Sequence, residues 1–77
     1  MDDRMYKEFL ESQLRWSKNQ ISILDDMESK LLEMKKVAEY AAGNELSIEE
    51  RETSSKRMEI LNQEYHILEK QKHTEFH

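Results

Sequence analysis

The sequence predicts an all-α fold: an antiparallel two-helix hairpin of coiled-coil character that dimerises into a four-helix bundle. Three observations carry this. The 77-residue chain has one glycine, Gly43, and no proline. Charged residues make up 38% and apolar ones 36%, a composition suited to long helices. Apolar residues recur at steps of three and four on both sides of Gly43. Residues 1–77 then form a single helical hairpin, with helix 1 at about 3–42, a turn at 43–47 and helix 2 at about 48–75.

Helix 1 opens on Asp2 and Asp3, which suit an N-terminus as caps and as partners of the helix dipole. Its strongest stripe is Ile21, Leu24, Met27, Leu31, Met34, Ala38 and Ala41. Upstream, Tyr6, Phe9, Leu10, Leu14 and Trp16 are bulky and spread over a wider arc. Asp3–Lys7, Glu11–Arg15 and Asp26–Lys30 are i,i+4 pairs with the acid first, each worth a few tenths of a kcal/mol. Gly43 is expected to end the helix in the left-handed conformation, with Asn44 the next most tolerant residue.

Ser47-Ile48-Glu49-Glu50 reads as a capping box. The Glu50 amide donates to the Ser47 hydroxyl, and the Ser47 amide donates to the Glu50 carboxylate. Stop and start lie so close together that the helices must be antiparallel neighbours. Helix 2 has the seam Met58, Leu61, Tyr65 and Leu68, flanked by Ile60 and Ile67. Its first turns, Glu49 to Arg57, are polar and fall near Ala38 and Ala41, small residues that allow close approach.

At ~1.5 Å per residue, helix 1 is about 60 Å long and helix 2 about 40 Å. Folding about Gly43 places Leu61 near Leu31 and Leu68 near Leu24, and helix 2 ends at about Leu14. Tyr6, Phe9 and Leu10 are then left without cover from the chain itself. An uncovered apolar arc with aromatics marks an interface. The predicted interface residues are Tyr6, Phe9, Leu10, Leu14, Trp16, Ile21, Leu24, Met58, Leu61, Tyr65 and Leu68. The expected partner is a second copy, a helical protein that supplies the missing helices, or both. Arg15 and Trp16 belong to residue types enriched at binding hot spots. Met27, Met34 and Met58 read as core fillers.

The other function classes fare worse. A net charge of −5 with both signs mixed along the chain argues against a nucleic-acid surface. No apolar run approaches a membrane span, and Met1-Asp2-Asp3-Arg4 is no signal peptide, so a cytoplasmic protein is expected. The absence of cysteine fits a reducing compartment and removes thiolate metal sites. His73-x-x-x-His77, with Glu69 or Glu75, could offer metal ligands, but zinc wants three or four fixed ones, so exposed histidines are the favoured reading. The paired acids Asp25/Asp26, Glu49/Glu50 and Glu59/Glu64 need a cleft to separate their pKa values, and a two-helix hairpin has none. A carboxylate metal core would require Glu-x-x-His, which does not occur. No enzyme activity, catalytic residue, metal or cofactor is expected.

Met34-Lys35-Lys36-Val37-Ala38, then Ala41-Ala42-Gly43-Asn44, then Leu46-Ser47-Ile48-Glu49-Glu50-Arg51, Leu61-Asn62-Gln63-Glu64-Tyr65 and Thr74-Glu75-Phe76-His77 follow one another in order. This order resembles the helix–loop–helix in the N-terminal inner-domain segment of bacterial flagellins, over about residues 21–76. The flagellin Ser-Gly and Asp-Asp-Ala-Ala-Gly elements and the C-terminal half of the helical domain are missing. The closing motif comes about two residues late, with His77 where the family has Asn. The resemblance implies a small relative or fragment that engages flagellar components. Tyr65 to Glu69 also resembles, more weakly, the Tyr-x-x-x-acid signal of small ESX-type hairpins, although their Trp-x-Gly turn is absent. Either resemblance would imply export by a non-Sec route.

The function expected from these readings is a non-enzymatic protein–protein interaction or structural module. The alternative is a small regulator or inhibitor that binds an enzyme, a transcription factor or a defence protein.

Overall fold

The computed structural model describes residues 2–74, with side chains described through Lys72. Two helices account for nearly all of them: α1, Asp3–Gly43, and α2, Ile48–Thr74. They lie against each other as a rod of 67 × 18 × 11 Å. Its radius of gyration, 19.2 Å, far exceeds the roughly 11 Å of a compact chain of this length. Its accessible surface of 6567 Å² likewise exceeds the roughly 5000 Å² typical of a folded monomer of this mass.

The chain starts and reverses through side-chain capping. Asp2 is the N-cap of α1, and its Oδ1 accepts from the Arg4 amide at 3.2 Å. At the other end the structure corrects the expectation for Gly43. Among the described residues none has positive φ, and Gly43 is the last residue of α1. The stop is made by Asn44, an extended C-cap whose Nδ2 donates to the Tyr40 carbonyl at 2.8 Å. A side-chain amide thus takes over a C-terminal carbonyl that a left-handed glycine would otherwise have satisfied through the backbone.

The capping box forms as read from the sequence. The Glu50 amide donates to Ser47 Oγ at 3.1 Å, and the Ser47 amide to Glu50 Oε1 at 3.4 Å. The second carboxylate oxygen, Glu50 Oε2, accepts from the Tyr40 hydroxyl at 3.3 Å. One carboxylate therefore ties the start of α2 to the last turns of α1.

The core is thin. Leu61 is fully buried, with Ile23 at 6% and Met27 at 8% exposure beside it. Half-buried residues extend the line through Trp16, Gln20, Lys30, Met34 and Val37 on α1, and through Ser54, Met58, Tyr65 and Leu68 on α2. Both lines advance by alternating steps of three and four, the period of a coiled-coil seam. The α2 seam is the one expected.

The α1 seam is rotated from the one expected. Leu24 and Leu31, placed by the sequence opposite Leu68 and Leu61, are 44% and 49% exposed, and Ile21 is 58% exposed. The expected stripe ran from Ile21 to Leu24 to Met27 in two successive steps of three. Each such step turns about 60° backwards around a helix of 3.6 residues per turn. The stripe therefore crossed from an outer face onto the true seam.

Ion pairs mark the rotation. Lys30 Nζ lies 3.3 Å from Glu64 Oε1, and Arg57 Nη2 donates to Glu33 Oε2. Lys30 thus reaches across to α2 rather than along its own helix to Asp26. The ion pairs within α1 are Arg4–Glu8 and Lys35–Glu39, both highly exposed and neither among those expected. Exposed pairs are worth about 0–1 kcal/mol, so they orient more than they stabilise.

Two predictions follow from the turn. A Cβ at Gly43 would meet nothing within 4 Å, and its backbone is helical. Gly43→Ala should therefore stabilise the hairpin by about 0.5–1 kcal/mol, raising the melting temperature by a few degrees. A left-handed Gly43 would give the opposite sign. Ser47→Ala should cost about 1 kcal/mol in chemical denaturation.

Candidate interaction surface

The two sides of the seam differ in chemistry. One side carries the Glu33–Arg57 and Lys30–Glu64 pairs, with a shallow pocket where Asp26 and Ser29 face Ile67 and Leu68. The other side carries an open groove at the turn end, of about 730 Å³, lined by Met34, Ala38 and Ala41 from α1 and by Ser55, Met58 and Asn62 from α2. The start of α2 lies near Ala38 and Ala41, as expected, and the groove is formed between them. Serines and alanines facing each other leave space that no side chain of the hairpin fills.

An apolar stripe runs along α1 into this groove. Leu10, Leu24, Leu31 and Ala38 are separated by multiples of seven, with Leu14 and Ile21 beside them at a further seven-residue spacing. A heptad step returns a residue to nearly the same face, so these six share one surface. Leu10 is 48%, Leu14 55% and Ile21 58% exposed, close to the values for Leu24 and Leu31. The stripe sits one residue on from seam positions such as Ile23 and Val37, about a quarter-turn round the helix. That offset matches the angle between the two neighbours of any helix in a four-helix bundle.

The N-terminal part of α1 has no partner helix. Every described residue before Trp16 is exposed, including Tyr6 and Phe9 at 52% each. Trp16 is half-buried where the covered part of α1 begins.

The expected interface residues therefore separate into two groups. Met58, Leu61, Tyr65 and Leu68 are occupied by the hairpin's own seam, with Trp16 at its edge. Tyr6, Phe9, Leu10, Leu14, Ile21 and Leu24 lie open on α1. Leu31, Ala38 and the groove residues around Asn62 belong to the same surface but were not among the expected set. The seven-residue repeat from Leu10 to Ala38 was the signal that could have found them.

The candidate chemical groups do other work or stand alone. Glu50 holds the turn, and Glu64 faces Lys30. Asp25, Asp26, Glu49 and Glu59 are exposed. His66 Nδ1 lies 3.4 Å from Glu69 Oε1, and its ring meets Tyr65 edge to face at 5.9 Å. Among the described residues no three His, Asp or Glu side chains converge on a metal position. The His73–His77 pair and the closing Thr74–His77 motif reach beyond the described side chains. No described helix is long and apolar enough to cross a membrane.

No protein-family model, curated protein or solved structure matches the chain.

The separation of seam from open stripe gives a test. Leu61→Ala should destabilise the hairpin by about 2–5 kcal/mol, enough to abolish most of its helical signal. Leu24→Ala, measured at concentrations low enough to prevent association, should change stability by about 0.5 kcal/mol or less.

Proposed function

We propose that this chain is a non-enzymatic, self-associating helical-hairpin module whose activity is protein–protein interaction. The observation that carries the reading is the exposed stripe from Leu10 to Ala38 on a helix whose other apolar face is already occupied. Isolated exposed leucines are ordinary, but a heptad line of them is a seam waiting for a helix. The surface excess over a compact monomer, roughly 1500 Å², comfortably exceeds the ~800 Å² that each partner buries in a stable complex.

A second copy supplies a helix of the required length and periodicity. The bundle is then made of two hairpins, consistent with the quarter-turn offset between the seam and the stripe. The resemblance to the flagellin helix–loop–helix makes flagellar axial proteins and their chaperones the first foreign partners to try. A regulator of another protein would use the same stripe, with the target's helix in place of the second copy.

Light scattering on the purified chain should give twice the chain mass at micromolar concentration, with a melting temperature that rises with concentration. Leu24→Gln combined with Leu31→Gln should raise the dissociation constant at least ten-fold and leave the hairpin helical when monomeric. A wild-type chain that stays monomeric and fully helical throughout would defeat self-association.

A further inference from the structure

The hairpin has an uncovered helix at one end and an unfilled groove at the other. We infer that each completes the other in an antiparallel pair, the N-terminal arm of one copy seating in the turn-end groove of its partner, twice by two-fold symmetry. This rests on the self-association proposed above and adds the occupant, direction and register.

The direction follows from the stripe's charges. Glu28 and Lys35 interrupt it at its own spacing from Leu14 and Ile21. A parallel in-register pair would stack Glu28 on Glu28 and Lys35 on Lys35, and like charges directly opposed oppose pairing. An antiparallel pair removes both clashes.

The register follows from matching the leucines. In an antiparallel coil the two core positions of one helix meet the complementary positions of the other in layers. With Leu24 against the second copy's Ile21, Leu31 meets its Leu14, and symmetry repeats both layers. Glu28 then falls beside Ser17, and Lys35 beside the end of the leucine run at Leu10. A shift of one heptad either way places Glu28 against Leu24 or against Leu10. The chosen register is the one that sets Glu28 beside a serine rather than a leucine.

The same register brings oppositely charged residues together along the flank. Arg4 comes alongside the second copy's Glu39, and Lys18 alongside its Asp25, each pair occurring twice. In the single hairpin Arg4 and Glu39 have only exposed partners on their own helix, Glu8 at 3.6 Å and Lys35 at 3.8 Å. They are free to exchange these at little cost.

Finally, the register sets the arm at the right height. Residues 4–14 of one copy run beside residues 31–41 of the other, the stretch of α1 that forms one wall of the groove. Leu10 and Leu14 face that wall. Tyr6 and Phe9, a quarter-turn away, face the wall formed by Ser55, Met58 and Asn62, where the open groove leaves room for rings. Each end of the dimer becomes a three-helix bundle, and each site is incomplete without the other chain. This is the isologous, closed contact of a two-fold pair.

The chain contains no cysteine, so engineered thiols report the register cleanly. Equal amounts of Leu14→Cys and Leu31→Cys variants, both at exposed positions, are mixed and treated with a short bismaleimide. Mass and helicity are followed in parallel. The expected result is a dimer linked almost wholly between the two different variants, with each variant alone giving little product. In this register like positions lie about 25 Å apart along the helix axis. Phe9→Gln combined with Leu10→Gln should weaken the dimer at least ten-fold with unchanged helicity of the hairpin. A dimer linked only between like variants, or not linked at all, overturns the register and leaves self-association standing. A chain that is monomeric by light scattering overturns both.

Discussion

Leu61 is where the two helices are joined. It is fully buried, and with Ile23 and Met27 it forms the interior of the hairpin. At about 1.5–3 kcal/mol for each fully buried side chain, three such residues provide only the lower part of what holds an ordinary domain together. Most of the remaining stabilisation must be local, from helix propensity, the Asp2 and Ser47 caps and the Glu50 clamp. A chain built this way can have well-formed helices and still lack a complete core. That condition makes its surface, rather than its interior, the informative part.

The surface is divided by the seam. On one side ion pairs between α1 and α2 keep the hairpin hydrated and fix the rotation of the helices. On the other, α1 offers leucines while α2 offers serine, asparagine and glutamate. The longest open apolar line runs along α1 and beside the groove. The charged side carries two exposed isoleucines of α2, Ile60 and Ile67, beside the ion pairs.

The helices, the short reversal and the excess length of α1 were legible in the sequence because each has a local cause. Ser47 and Glu50 sit at the spacing that satisfies both end amides, and nothing elsewhere in the chain competes with it. The α2 seam was legible because Met58, Leu61, Tyr65 and Leu68 keep the alternating three-four step, and Ile60 and Ile67 only flank it. The α1 seam was not, because that helix carries two adjacent apolar lines. Composition ranks Leu24 and Leu31 above Lys30 and Gln20. The packing places Lys30 on the seam because its long stem can lie along apolar surface while its amine reaches Glu64. Gly43 misled for a related reason. Glycine permits a left-handed cap without requiring one, and the Asn44 side chain provided another way to end the helix. On the surface, Tyr6, Phe9 and Leu10 were found from length alone, but the groove was not, since it arises from what small residues on two helices leave empty.

The placement of the interhelical contacts also implies an order of folding. The Tyr40–Glu50 contact spans ten residues and the Glu33–Arg57 contact 24, with Lys30–Glu64 farther out. Once the first loop has closed, each later contact adds little closure entropy, because that cost grows only with the logarithm of loop length. The hairpin can therefore zip from its turn outward. The clamp at Glu50 closes the shortest loop, and the N-terminal arm has no intramolecular step to wait for. Such a chain has low contact order and should fold quickly for its size.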